Sequence, residues 1–201
     1  VHIVRQELLH SKKFFVLGLS AGGMLAYNIA CLAHGVSGII VTTLLDNRLK
    51  PVREYSAKNE LHARFALPLL RFMPKRMRRL KIPVKAVTNM NAIVNNDRVL
   101  SLLLQDKRGT GSSVHLGLLC SMMESIPAVE PEAFEIPLLL CHPEKDRWTP
   151  EWISRLFFDR IRSPKELCTL KNAGHFPIEQ LGIAQLEEAI ISFINKTLEE
   201  R

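Results

Sequence analysis

The chain has 201 residues, 47% of them hydrophobic and 23% charged, a make-up that supports a full globular core and excludes a disordered or low-complexity chain. No apolar run has the length needed to cross a bilayer, and the opening Val1-His2-Ile3-Val4-Arg5-Gln6-Glu7 has neither a signal peptide's apolar core nor a transit peptide's composition. Four cysteines in apolar surroundings without paired short spacing fit a reducing cytoplasm, and a cytoplasmic or membrane-peripheral setting is expected. The formal net charge of +7 gathers largely in one segment, with few aromatics and no recognisable module for nucleic acid, so nucleic acid is not an expected partner.

Between Val1 and Lys12, Ile3, Val4, Leu8 and Leu9 fall at helical spacing and predict a helix leading into the short apolar strand Phe14-Phe15-Val16-Leu17. The next stretch, Gly18-Leu19-Ser20-Ala21-Gly22-Gly23, opens a predicted helix from Met24 to His34. A serine at such a strand–turn–helix junction is held in a strained turn that exposes its hydroxyl, while glycines allow strand and helix to pass closely. The Ala21 N–H then faces an oxyanion at the positive end of the helix. The plainer alternative is that Ser20 only caps the helix.

Leu25, Ala26, Ile29, Ala30, Leu32 and Ala33 make that helix apolar on most of its faces, which predicts burial all round, and Gly35 ends it. Residues 38–45 form a continuous run rich in β-branched side chains and read as a buried parallel strand, completing a strand–helix–strand unit. From Asp46 to Ser125 the pattern turns helical and irregular, broken by Pro51, Pro68, Pro74 and Pro83. Many of the basic residues lie here, including Arg48, Arg53, Arg64, Arg71, Arg76, Arg78, Arg79, Lys81 and Lys85, beside apolar Leu61, Phe65, Leu69, Leu70, Phe72 and Met73. Residues 46–125 are therefore predicted to be a helical insertion, with residues 1–45 and 126–201 forming the core. An amphipathic basic insertion suits acyl chains or an anionic membrane surface, and equally a solvated helical face.

The core resumes with the strand Ile136 to Cys141 and the loop His142-Pro143-Glu144-Lys145-Asp146-Arg147-Trp148-Thr149-Pro150. A helix over Glu151 to Asp159, a strand over Lys165 to Leu170, the loop Lys171-Asn172-Ala173-Gly174-His175-Phe176-Pro177 and an amphipathic helix from Leu181 to Leu198 follow. Cys31, Cys120, Cys141 and Cys168 have no paired short spacing, so neither a zinc site nor a disulfide framework is expected.

Ligands of open α/β sheets bind at the carboxyl ends of the strands. Three predicted strands are each followed by a loop carrying one reactive group, in the order Ser20, Asp146, His175. Serine needs a base to take its proton, histidine titrates in the useful range, and a carboxylate orients the imidazole. Glu144 is an alternative acid and His142 the nearest alternative to His175, although His142 precedes the acid in the same loop and is expected to shape the turn. His2, His10, His34, His62 and His115 have no catalytic partner in view and are expected on the surface or in the insertion.

With GLSAGG, HPEKDRWTP and NAGHFPIE in this order, the chain resembles the α/β-hydrolases of the serine esterase, lysophospholipase and monoacylglycerol lipase-like group, and the resemblance covers nearly the whole chain. It implies a mostly parallel sheet flanked by helices, with residues 46–125 as a helical cap. It also implies Ser20 as nucleophile, Asp146 as acid, His175 as base and the Ala21 amide as an oxyanion donor, with no metal or organic cofactor. The implied activity is hydrolysis of a carboxylic ester through an acyl-serine; acyl transfer or peptide hydrolysis could use the same triad. Only Val1 to Lys13 precede the elbow strand, whereas the family has several strands there and a loop giving a second oxyanion N–H. The N-terminal part of the fold is therefore expected to be missing, and the chain to be a fragment, the partner of a separate N-terminal segment, or a decayed product. The competing reading is a silent hydrolase-fold module that binds an anionic lipid or a protein partner.

Overall fold

The computed structural model describes residues 1–10, 13–56, 74 and 76–199. In chain order the elements are α1 (His2–Leu8), β1 (Phe15–Gly18), α2 (Gly22–Ala33), β2 (Gly38–Val41), α3 (Lys50–Ser56), β3 (Lys81–Pro83), α4 (Val84–Val87), α5 (Asp97–Gln105), β4 (Ser113–His115), α6 (Leu116–Glu124), β5 (Leu138–Pro143), α7 (Glu151–Phe158), β6 (Lys165–Leu170) and α8 (Gln180–Glu199). The described chain divides into two units, one of residues 1–45, 127–146 and 150–201, the other of residues 46–126 and 147–149.

The first unit is built on a four-stranded sheet in the order β1-β2-β5-β6, with every neighbouring pair parallel. Parallel neighbours need long crossovers, and α2 and α7 supply them between β1 and β2 and between β5 and β6. The two central strands are buried on both faces, as expected of near-continuous apolar runs. Alternate residues feed two cores. Ile39, Val41, Leu138 and Leu140 pack with Ala26, Tyr27 and Ala30 of α2 and Phe157 and Phe158 of α7, while Ile40, Leu139 and Cys141 pack with Phe193, Leu186 and Ile190 of α8.

Tyr27 anchors the first core. It is fully buried, stacked on Phe134 at 4.3 Å and edge-on to Phe157 at 5.0 Å, and its hydroxyl donates to the Val129 carbonyl at 3.0 Å. A buried phenol requires such a partner.

Two sequence expectations need correction. The strand predicted over 38–45 ends at Val41, and Thr42 and Thr43, just beyond it, turn their hydroxyls to the turn that holds Ser20. Helix α2 is not buried all round: Leu25 is 62% exposed and Leu32 47%, on the side away from the sheet, while Ala26, Tyr27, Ala30 and Ala33 face inward. Among the described residues β1 is an outer strand of the sheet, and its Leu17 is 53% exposed.

The second unit holds the short antiparallel pair β3–β4 and helices α3 to α6. Asn96 caps α5, its side-chain oxygen accepting from the N–H groups of Arg98 and Val99. The apolar residues Leu61, Phe65, Leu69, Leu70, Phe72 and Met73, together with Arg64, Arg71 and His62, lie outside the described residues. Among the described residues no helix is long and apolar enough to cross a membrane.

Candidate active site

Strand β1 ends in a turn whose shape two glycines permit. A Cβ on Gly18 would overlap the Gly22 carbonyl oxygen, and one on Gly23 would overlap the Thr43 carbonyl oxygen. Gly22, between Ala21 and Gly23, has open space around its Cβ position, so the close approach of helix and strand depends on Gly23 instead. Between them Ser20 adopts φ 52°, in the left-handed region that costs a non-glycine residue about 1–3 kcal/mol.

The strained residue is held from the segment just after β2. Thr42 Oγ1 accepts the Ser20 N–H at 2.9 Å, and Thr43 Oγ1 donates to the Ser20 carbonyl at 2.9 Å; both threonines are fully buried. Sequence reasoning missed this clamp. Its signal is a pair of hydroxyl residues at the carboxyl end of an otherwise apolar strand.

The side chain of Ser20 makes no capping bond to α2. Its Oγ lies 2.6 Å from His175 Nε2, and His175 Nδ1 lies 2.8 Å from Asp146 Oδ2. His175 and Asp146 are both buried, with Phe176 stacked on the imidazole at 6.0 Å, and Ser20 is partly accessible. With Asp146 accepting from Nδ1–H, Nε2 is left as the acceptor for the serine proton. Ala21 sits at the start of α2, where the first N–H groups have no carbonyl partner within the helix.

The acid and histidine loops are tied to each other by backbone. The Lys145 N–H donates to the Ala173 carbonyl at 2.9 Å and the Glu144 N–H to the Leu170 carbonyl at 2.9 Å. Glu144, the alternative acid, points elsewhere. It accepts from the Asn172 N–H at 3.0 Å and pairs with Lys171 Nζ at 2.8 Å, and these contacts hold its carboxyl below the usual carboxylate range. Asn172 is itself at φ 58°, so Glu144 steadies the second strained residue of the site. Glu179 performs a related task at the far end of the loop, accepting the Gly174 N–H at 3.0 Å.

His142 does more than shape a turn. It is the penultimate residue of β5, fully buried, and neither ring nitrogen makes a hydrogen bond among the described residues. Burial drives its pKa below the ordinary histidine value, against the pull of the Asp146 and Glu151 carboxylates. Burial thus opposes a positive charge on this ring beside Asp146. His2, His10, His34 and His115 are exposed. Among the described residues no group of three or more His, Cys, Asp or Glu side chains is placed to hold a metal ion.

A parallel sheet with crossover helices, Ser20 in a strained turn after one strand and Asp146 and His175 on the loops after two others fit an α/β-hydrolase. Residues 1–179 match the serine aminopeptidase S33 family (Hydrolase_4), and the chain belongs to that family of hydrolases. Among solved structures it is similar to a monoacylglycerol lipase from Paleococcus ferrophilus, at 18% identity and TM-score 0.71 over 96% of this chain and 72% of that one. It is also similar to a soluble variant of monoglyceride lipase from Saccharomyces cerevisiae, at 18% identity and TM-score 0.71 over 98% and 69%. A thermophilic esterase from Thermogutta terrifontis matches at 19% identity and TM-score 0.56 over 96% and 69%. At these identities the likeness is one of fold. No curated protein matches the chain.

Proposed function

We propose that this protein is a serine hydrolase of carboxylic esters, with Ser20 as nucleophile, His175 as general base and then acid, and Asp146 as the carboxylate that orients the imidazole. The observation that carries the reading is the continuous hydrogen-bonded line Ser20 Oγ to His175 Nε2 and His175 Nδ1 to Asp146 Oδ2, at 2.6 and 2.8 Å. Ser20 Oγ attacks the acyl carbonyl as its proton passes to Nε2. Asp146 stabilises the imidazolium, and the Ala21 N–H donates to the oxyanion. Collapse expels the alcohol with the proton from Nε2, and water then repeats the sequence on the acyl-serine. The similarity to the monoacylglycerol and monoglyceride lipases favours a lipid acyl ester as substrate, a monoacylglycerol or lysophospholipid.

The test is hydrolysis of p-nitrophenyl esters of increasing acyl length, beside aminoacyl p-nitroanilides, by the wild type and Ser20→Ala. Ester turnover that falls by several orders of magnitude in the variant is expected. Preference for the anilides would move the substrate class to peptides, and absence of both activities in folded protein would leave a silent module.

A membrane-facing role is a second reading. In the second unit Met77 and Leu80 are 43% and 52% exposed, amid the exposed basic residues Arg76, Arg79 and Lys81. Apolar side chains set among cations suit an anionic lipid surface. Salt-sensitive binding to phosphatidylserine vesicles, weakened by reversing Arg76, Arg79 and Lys81 to Glu, is expected; binding indifferent to salt and to these charges would dismiss this reading.

A further inference from the structure

Cys141 and Cys168 are distant in sequence, yet the register of β5 against β6 sets them directly opposite one another. Adjacent strands lie about 4.7–4.9 Å apart, inside the Cα separation that a disulfide spans, about 4.4–6.8 Å. Both side chains point to the same face, into the core under α8 with Leu139, Leu170 and Phe193. Cys141 is fully buried, whereas Cys168 is partly accessible. Both are free thiols. The other two cysteines belong elsewhere: Cys31 packs in the core on the opposite face of the sheet, and Cys120 is in the second unit.

We propose that Cys141 and Cys168 form a reversible dithiol–disulfide site, in which Cys168 meets a small disulfide from solution and Cys141 resolves it. The Cys168 thiolate attacks one sulfur of oxidised glutathione, forming the mixed disulfide and releasing one glutathione thiolate. Cys141, having lost its proton, then attacks Cys168 Sγ and expels the second glutathione. The two protein thiols are oxidised by two electrons, and one oxidised glutathione is reduced to two glutathione molecules. Burial raises both thiol pKa values, that of Cys141 up to about 12, so exchange is slow at neutral pH and accelerates in mild alkali. The bond ties the strand that leads to Asp146 to the strand that leads to His175, and it closes the segment between them into a covalent loop.

The test incubates the folded full-length protein with oxidised glutathione in mild alkali, traps remaining thiols with maleimide after denaturation, and maps tryptic peptides by mass spectrometry. Expected is a peptide pair joined through Cys141 and Cys168, two thiols lost from four, and full reversal by dithiothreitol. A Cys31→Ser/Cys120→Ser protein should form the same link at the same rate. Cys168→Ser should leave Cys141 reduced, which shows that the buried thiol does not react by itself. Arrest at a stable glutathione adduct on Cys168, a link involving Cys31 or Cys120, or a link that forms only in denaturant would overturn the proposal.

Discussion

Replacing Thr43 by Val removes one hydroxyl from the clamp on Ser20 and changes little else in shape. Ser20 at φ 52° carries about 1–3 kcal/mol of backbone strain. The two threonine bonds, each worth about 0.5–1.5 kcal/mol net, sum to a similar amount, so neither suffices without the other. In Thr43→Val the Ser20 carbonyl keeps the Gly23 N–H at 2.8 Å and loses only the threonine hydroxyl, at a cost of about 0.5–1.5 kcal/mol. Part of that cost can be escaped if the elbow relaxes, and each 1.4 kcal/mol conceded to a relaxed elbow removes about tenfold from the rate at which Ser20 reacts. Urea unfolding reads the first quantity and labelling by a fluorophosphonate reads the second. The expected result is a lower urea midpoint with slower labelling in Thr43→Val, while Thr43→Ser, which keeps the donor, stays close to wild type. An unchanged midpoint together with unchanged labelling in Thr43→Val would refute the clamp and leave the glycines to hold the turn.

The elbow glycines should separate cleanly: Gly22→Ala is expected to fold with unchanged stability, whereas Gly23→Ala, whose new methyl would meet the Thr43 carbonyl, should lose cooperative thermal unfolding or drop sharply in Tm. His142, with its folded pKa below that of the unfolded chain, makes the unfolded state bind the extra proton first, so its contribution to stability is intact above about pH 6.5 and is lost as the pH falls below that value. His142→Leu should therefore flatten the acid side of the stability–pH curve measured by urea titration. Because the ring nitrogens make no hydrogen bond, the change should cost little at neutral pH, and a large loss there would show that the ring does structural work.

The meeting of three side chains was legible in sequence because each follows a short apolar run, and in a parallel sheet all such runs deliver their loops to the same edge. Ser20, Asp146 and His175 needed only that rule and their order. The choice of Asp146 over Glu144 did not follow from residue type, since it depends on the turn that sends Glu144 toward Lys171 and Asn172. Thr42 and Thr43 were read as strand because β-branched residues look alike in an apolar run, and only a neighbouring loop with unpaired peptide groups reveals what their hydroxyls do. Leu25 and Leu32 misled in the other direction: an apolar residue on a helix does not specify that anything covers it. The Cys141–Cys168 juxtaposition is invisible without the register, because nothing in their spacing along the chain distinguishes them from the other cysteines.

The register of β2 against β5 has a bearing on tolerance. Ser20 is fastened to the β1–β2 half of the sheet, and His175 and Asp146 to the β5–β6 half. The seam between the halves is three residue pairs, Ile39 with Leu138, Ile40 with Leu139 and Val41 with Leu140, all buried hydrocarbon. The 2.6 Å separation of Ser20 Oγ and His175 Nε2 is thus gauged in part by hydrocarbon side chains of the sheet. Trimming one methyl group along that seam acts like changing a shim between two machined parts, and the alignment of the reacting atoms becomes a property that drift in the core can adjust without altering any polar residue.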